Sequence, residues 1–323
     1  MTEQLQVESS ETPPSPMRNE HGFINFIRQI AQRPVALVSM VIVLIFILLA
    51  VIGPAVAPYE FDAIQRGEDR RALRNTPPST TYIMGTDSRG RDIFSRLLWG
   101  ARDTIGLPAV ASLLAVSIGA LIGLSTGYVG GWYDETVSRL MDSLLAIPAL
   151  VLALVMITTI VPILSNTEVL GLVQLVDFFG ANNISLTVVI VLLYVPIVAR
   201  VVRSATLNVR DLGYIEAAKL RGESLLYILF SEIFPSVLPS LVVEGSLRLS
   251  YAIFLVASLG FLGLGVQPPS PEWGRMVLDA RNFMTEAPWT MWFPVLAIAS
   301  LIISINLMSD GMRRVLRNEI GRE

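Results

Sequence analysis

The stretch VALVSMVIVLIFILLAVIGPAVAP, residues 35–58, decides the fold class, because it contains no charged residue along its whole length. About 20 consecutive apolar residues let a helix cross a hydrocarbon core about 30 Å thick, so the stretch reads as a membrane span. It begins too far into the chain, is too long and follows too acidic a leader to read as a cleaved signal peptide. Similar charge-free blocks cover 104–133, 143–167, 178–199 and 287–309. The segment between Glu232 and Pro268 is interrupted only by Glu244 and Arg248. The expectation is an all-α membrane protein with six transmembrane helices.

Composition agrees, with 53% hydrophobic and 16% charged residues, against about 25% charged in an ordinary soluble domain. A net charge of -3 with scattered arginines gives no concentrated basic face, which excludes nucleic acid as a partner. The chain has no cysteine, so disulfides, thiolate nucleophiles and Cys-ligated zinc are excluded. A single His21, in a polar tail, builds no metal site by itself.

Residues 1–21 are polar and Pro/Ser-rich and read as a disordered tail. Over 22–34, Phe23, Phe26, Ile27 and Ile30 share one helical face while Arg28 and Arg33 lie off it, the pattern of an amphipathic helix in the membrane interface. Six spans put both chain ends on one side. Arg200, Arg203, Arg210, Lys219, Arg221, Arg313, Arg314 and Arg317 mark that side as cytoplasmic, whereas SNTEVLGLVQLVD (165–177) has no Lys or Arg and belongs outside. The segment between spans one and two runs against the rule, with Arg66, Arg70, Arg71, Arg74, Arg89, Arg91, Arg96 and Arg102. Near-balancing acids accompany them, and we place the segment outside.

The second span carries Ala111, Ala115, Gly119, Gly123 and Gly127, small residues at every fourth position that form a stripe where another helix backbone can approach, in this subunit or a partner. No internal repeat is visible, which argues against an inverted-repeat secondary transporter. The only lysine, Lys219, is followed by Leu220, so the chain has no phosphate-cradling GxxxxGK[ST] loop, and any ATP hydrolysis belongs to another polypeptide. Ionisable residues inside a span are costly and usually functional. Here these are Glu244 and Arg248, spaced i,i+4, which read either as a self-neutralising pair with Arg248 snorkelling or as groups lining a pathway. A membrane enzyme would need clustered catalytic side chains that are not in view.

Between spans four and five lies GYIEAAKLRGESLLYILFSEIFPSVLP, residues 213–239. Glu216, Ala217 and Ala218 begin a short helix, Gly222 allows a sharp turn, and a second apolar helix runs from Leu225 to Phe234 until Pro235 ends it. The result is a knob on which two alanines leave a flat face for a partner.

This knob resembles the coupling loop of ABC-importer permeases, whose pattern is Glu-Ala-Ala, three residues, Gly, then a hydrophobic stretch ending in Pro; here it reads EAA-KLR-G and closes with IFP. Three further segments, MGTDSRGRDIFSRLLWGAR (84–102), GYVGGWYDETVSRLMDSLLAIP (127–148) and ASLGFLGLGVQPPSPEWG (257–274), are similar to the dipeptide/oligopeptide and nickel permeases, in the subunit with the longer first loop. The resemblance implies a type I ABC-importer permease fold in a bacterial inner membrane, with both termini cytoplasmic. It implies a homologous second permease, two ATPase subunits that bind the ATP and Mg, and an extracytoplasmic substrate-binding protein as partners, with no cofactor on this chain. Carried over, Glu216, Ala217, Ala218, Arg221, Gly222 and Pro235 form the ATPase-coupling element, and Asp87, Arg91 and Asp92 an ion-paired elbow before span two. The expected solute is a dipeptide or oligopeptide, the alternatives being nickel or another small solute, or, in a different class, an autonomous secondary transporter or channel; many such permeases carry Glu at the position of Val256, where this chain is apolar. The expected organisation is a cytoplasmic tail 1–21, an interfacial helix 22–34, a first span 35–58, an extracytoplasmic loop and elbow 59–103, a permease core 104–310 with the coupling loop 210–235, and a cytoplasmic tail 311–323.

Overall fold

The computed structural model describes residues 33–166 and 170–320. The expected tail and nearly all of the interfacial helix, His21 included, lie outside the described residues.

The described chain is helical. In order, its helices are α1 (Pro34–Val56), α2 (Ile93–Val129), α3 (Gly131–Leu145), α4 (Ala149–Ser165), α5 (Leu170–Phe179), α6 (Ala181–Val209), α7 (Gly213–Leu220), α8 (Leu225–Phe261), α9 (Trp273–Ala280) and α10 (Trp289–Ile320). Five of them, α1, α2, α6, α8 and α10, are long and apolar enough to cross a membrane. The sixth crossing is the pair α3 and α4, bent by 88° at residues 146–148. The bend falls at Pro148, which stands at the N-cap of α4 with an extended ψ of 129°. The apolar part of the third span is thus α4, shorter than the expected 143–167, and α3 leaves it at 88°.

Several boundaries differ from the sequence reading for physical reasons. Helix α2 starts at Ile93 and not near 104, because Asp92 caps it: its Oδ2 accepts from the Ser95 amide at 2.8 Å and the Ser95 hydroxyl at 2.6 Å. Helix α6 continues past Ala199 to Val209 because its arginines find carboxylates on α3, Arg203 on Asp134 and Arg200 on Asp142. Residues expected as a C-terminal tail from 311 continue α10 to Ile320. Pro235 ends nothing. The backbone passes through a π-helical turn over Ile228–Ile233 directly before it, with the Phe234 amide donating to the Leu229 carbonyl, and the widened turn accommodates the proline ring inside one continuous helix.

The centre of the bundle is the α2–α6 seam. A Cβ added at Gly119 would lie 2.7 Å from Val198 Cβ, one at Gly123 2.5 Å from the Ala199 carbonyl oxygen, and one at Gly127 2.7 Å from Thr206 Cβ. Ala111 and Ala115 are fully buried in the same seam. The stripe therefore faces a helix of its own subunit. With lipid on the outside as apolar as leucine, close van der Waals contact of this kind is what holds helices together, and overfilling it costs typically about 1–3 kcal/mol. Helix α1 is attached by one face, with Ala36, Ser39, Val43 and Gly53 buried, Gly53 against the Leu98 carbonyl, and Phe46, Leu49 and Ala50 partly buried beside them; Val38, Val41, Leu44, Ile45, Leu48 and Val51 are exposed.

Side-chain contacts sort the loops into two faces. On one, the segment after α1 meets the segment between α8 and α10 through Arg91–Asp279 (3.6 Å) and Trp289 Nε1 donating to the Thr86 carbonyl (3.4 Å), while Asn182 at the start of α6 donates to Gly265. On the other, Arg210 Nη1 donates to the Gly127 carbonyl at 2.9 Å and Arg313 approaches Glu244 at 3.9 Å. The arginine-rich first loop therefore shares a face with the lysine- and arginine-free α4–α6 connection and lies opposite the knob.

Candidate functional site

The knob is built from α7, a turn and the start of α8. Helix α7 turns Ile215 and Ala218 inward, both fully buried against Ile228, Leu229 and Ile233, and leaves Glu216, Ala217, Lys219 and Leu220 outside. The flat two-alanine face expected from sequence is thus divided: Ala218 packs the knob onto its own chain, and Ala217 beside Glu216 faces outward. Leu220 is 89% exposed, and Leu225, Leu226 and Tyr227 are exposed beyond the turn, an apolar surface left open by the described residues.

Gly222 sits at φ +77° with nothing within 4 Å of where a Cβ would be, so the glycine serves the backbone conformation and not a close contact. Two ion pairs brace the turn, Arg221 with Glu223 at 3.4 Å and with Glu232 on α8 at 3.5 Å. Lys219 stands over the Tyr128 ring at 5.3 Å, connecting the knob to the end of α2. Ser224 caps α8, its hydroxyl accepting from the Tyr227 amide.

Glu244 and Arg248 do lie together, with Oε1 and Nε 3.0 Å apart, although the N–H does not point at the oxygen and the contact is electrostatic rather than a hydrogen bond. Both are buried, at 6% and 9% exposure. Arg248 does not snorkel. Its guanidinium lies over the rings of Tyr251 (4.9 Å) and Tyr194 of α6 (5.5 Å), and Glu244 has a second cation in Arg313 of α10. Neighbouring Val243 packs with Ala36 at the start of α1 and with Met312 and Val315, so the cluster lies towards the knob side of the bundle.

On the other face, Asp87 organises the elbow. Its Oδ1 accepts from the Arg89 and Arg91 amides, both at 2.9 Å, and its Oδ2 from Arg91 Nε at 2.7 Å. Arg96 donates to the Phe61 carbonyl at 3.1 Å. Gly85 and Gly90 take φ +75° and +85°, which the tight loop needs. Asp87, Arg91 and Asp92 thus hold the loop and cap α2.

Sequence reasoning missed the partner of this elbow. Glu272 is completely buried and caps α9, accepting from the Gly274 and Arg275 amides at 2.8 Å each. Burial pushes its carboxyl up to about 7, against those two hydrogen bonds. Trp273, also completely buried, donates through Nε1 to the Leu97 carbonyl at 3.0 Å. The signal was the motif PSPEWG itself, whose cap spacing is readable. Its docking site on α2 is remote in sequence and is not.

Residues 119–322 match the binding-protein-dependent transport system inner membrane component. The chain belongs to this family. Residues 23–78 of the permease match the N-terminal transmembrane domain of oligopeptide transport permease C. It is 34% identical to the dipeptide transport system permease protein of Haemophilus influenzae over 87% of this chain and 89% of that one. It is 35% identical to the glutathione transport system permease protein of Pectobacterium atrosepticum, over 90% and 89%. The fold resembles a chain of the inward-facing MetNI methionine ABC transporter at TM-score 0.50 and 21% identity, covering 68% of this permease and 95% of that chain. It is a multi-pass membrane protein and a transport permease.

Proposed function

We propose that this permease is one of two homologous membrane subunits of an ATP-driven importer of short peptides, supplied by an extracytoplasmic binding protein and energised by two separate ATPase subunits. The observation that carries the reading is the knob: a short helix with outward Glu216 and Ala217, a left-handed glycine and an uncovered apolar rim around Leu220, braced onto α2 and α8 so that a force applied to it reaches the bundle. The relatives named for dipeptide and glutathione transport support peptides as the solute. ATP and Mg would sit on the partner subunits. Docking would use Glu216, Ala217 and the exposed leucines, with Arg221 and Gly222 fixing the turn and Ala218 holding the knob in place.

In this reading the knob face is cytoplasmic, and so are both chain ends. Of the first loop's arginines, Arg91 and Arg96 do not oppose this, because they are buried in the elbow, Arg91 tightly paired with Asp87 and near Asp279, Arg96 hydrogen-bonded to the Phe61 carbonyl. The absence of cysteine makes orientation directly measurable. In intact cells, a membrane-impermeant maleimide should label Ser79→Cys and leave Glu216→Cys unlabelled until the cells are broken. The reverse pattern would overturn the orientation.

A further inference from the structure

On the face opposite the knob, a cleft of about 270 Å³ opens between the elbow loop, Pro268–Ser270 and α9. Four cations line it, Arg89, Arg91, Arg96 and Arg275, against two acids, Asp62 and Asp279. Asp87, behind Arg91, brings the acids to three, so the arginines of the cleft outnumber its lining acids and Asp87 together by one. The carboxylates are moreover concentrated on part of the cluster. Asp87 Oδ2 lies 2.7 Å from both Nε and Nη2 of Arg91, and Asp279 is shared between Arg91 and Arg275.

Two guanidinium groups keep unused donors. Among the described residues, Arg89 has no carboxylate within 4 Å. Arg275 Nε is buried with no hydrogen-bond acceptor, because the Asp279 oxygen 3.4 Å away is out of line. A buried, unaccepted guanidinium N–H in a cleft with surplus positive charge is suited to an oxyanion, and arginine's planar fork matches a carboxylate in particular.

What lies beside the cleft indicates the rest of the ligand. Ser270 lines the cleft and also donates to Asp103, which lines a neighbouring cavity of about 490 Å³ walled largely by Leu107, Val110, Leu114 and Phe179. A charged cleft one hydrogen bond from an apolar cavity suits a solute with a carboxylate at one end and a hydrophobic body, and not an inorganic anion. We propose that the cleft of Arg89 and Arg275 is a carboxylate site that takes the C-terminal carboxylate of a short peptide on the outer face of the permease. The choice of a peptide rests on the importer reading above; the site itself does not.

The test is protection from arginine modification, with the intact permease in nanodiscs and no ATPase present. Phenylglyoxal modification at Arg89 and Arg275 is followed by mass spectrometry at constant ionic strength with alanyl-alanine, its C-terminal amide, acetate or chloride. Alanyl-alanine should slow modification of both residues several-fold, at lower concentration than acetate, while the amide and chloride have no effect. In Arg275→Gln, Arg89 should lose that protection; if this variant is poorly folded, Arg89→Gln read at Arg275 gives the same comparison. Equal protection by the amide or by chloride, equal potency of acetate, or no protection by any of them would overturn the proposal. None of these results bears on ATP-driven transport, so the two readings fail separately.

Discussion

At the residue scale, Glu244 and Arg248 show how the bundle tolerates charge. Sequence spacing made the i,i+4 pair legible. The third member could not be read, because Arg313 is remote in sequence and reaches Glu244 only when α10 packs on α8. That extra cation changes what a mutation does. Removing Arg248 leaves Glu244 facing Arg313. Removing Glu244 leaves a buried arginine with only two aromatic faces. Breaking one side of a buried pair costs about 3–5 kcal/mol, and the larger loss should therefore follow Glu244→Ala. The thermal unfolding midpoint of the purified permease should fall further for Glu244→Ala than for Arg248→Ala, with the double variant above Glu244→Ala. A more damaging Arg248→Ala would show that Arg313 does not compensate.

Glu272 supplies a pH dependence at the same scale. Its folded-state carboxyl is raised to about 7, above the ordinary glutamate value of 4.5, because burial penalises the charged form. A raised acid stabilises the fold while it is protonated, and that contribution is lost as pH rises from about 4.5 through about 7. The unfolding midpoint of the wild type should drop across that window by more than that of Glu272→Gln, whose amide does not ionise. Parallel curves for the two proteins would remove Glu272 as the cause.

At the scale of elements, the small-residue stripe was legible as a close-packing seam, and its position at every fourth residue was enough to name its face. Its partner, α6 of the same subunit, was not legible, since periodicity on one helix says nothing about which helix it meets. Pro235 was misread because a proline in sequence signals a helix end, whereas the π-turn before it admits the ring without a break. The two alanines of the knob were misassigned together because three-residue patterns do not show which side of a short helix packs inward. Ile215 and Ala218, three apart, share the buried face, and Ala217 does not.

Gly222 is the element-scale test of the knob. A left-handed φ costs an ordinary residue about 1–2 kcal/mol, asparagine adopts it more readily than a β-branched side chain, and no neighbour obstructs a Cβ. Gly222→Val should therefore impair transport-linked ATPase activity well beyond Gly222→Asn while both insert normally. Equal loss in the two would point to a steric role for the glycine that its empty surroundings do not suggest.

At the scale of the molecule, side-chain contacts put the arginine-rich first loop on the face opposite the knob. The first loop is a folded cap, joined to the α8–α10 connection through Asp87, Arg91 and Asp279, with Arg91 and Arg96 buried in it. Fold class and knob could be read from sequence because hydropathy and glycine placement are local. The cap, the Glu272 anchor and the arginine cleft could not, because each is assembled from segments more than a hundred residues apart.

The central claim is that this permease moves solute only when a separate ATPase acts on its knob. The direct measurement is uptake of a labelled dipeptide into proteoliposomes containing the permease with its copurifying partners, with ATP supplied on the knob side and binding protein on the other, comparing wild type with Glu216→Lys. The account predicts ATP-dependent uptake by the wild-type assembly, none by the permease alone, and inserted but uncoupled Glu216→Lys. Uptake by the permease alone without any ATPase, or unchanged ATP-driven uptake in Glu216→Lys, would contradict it.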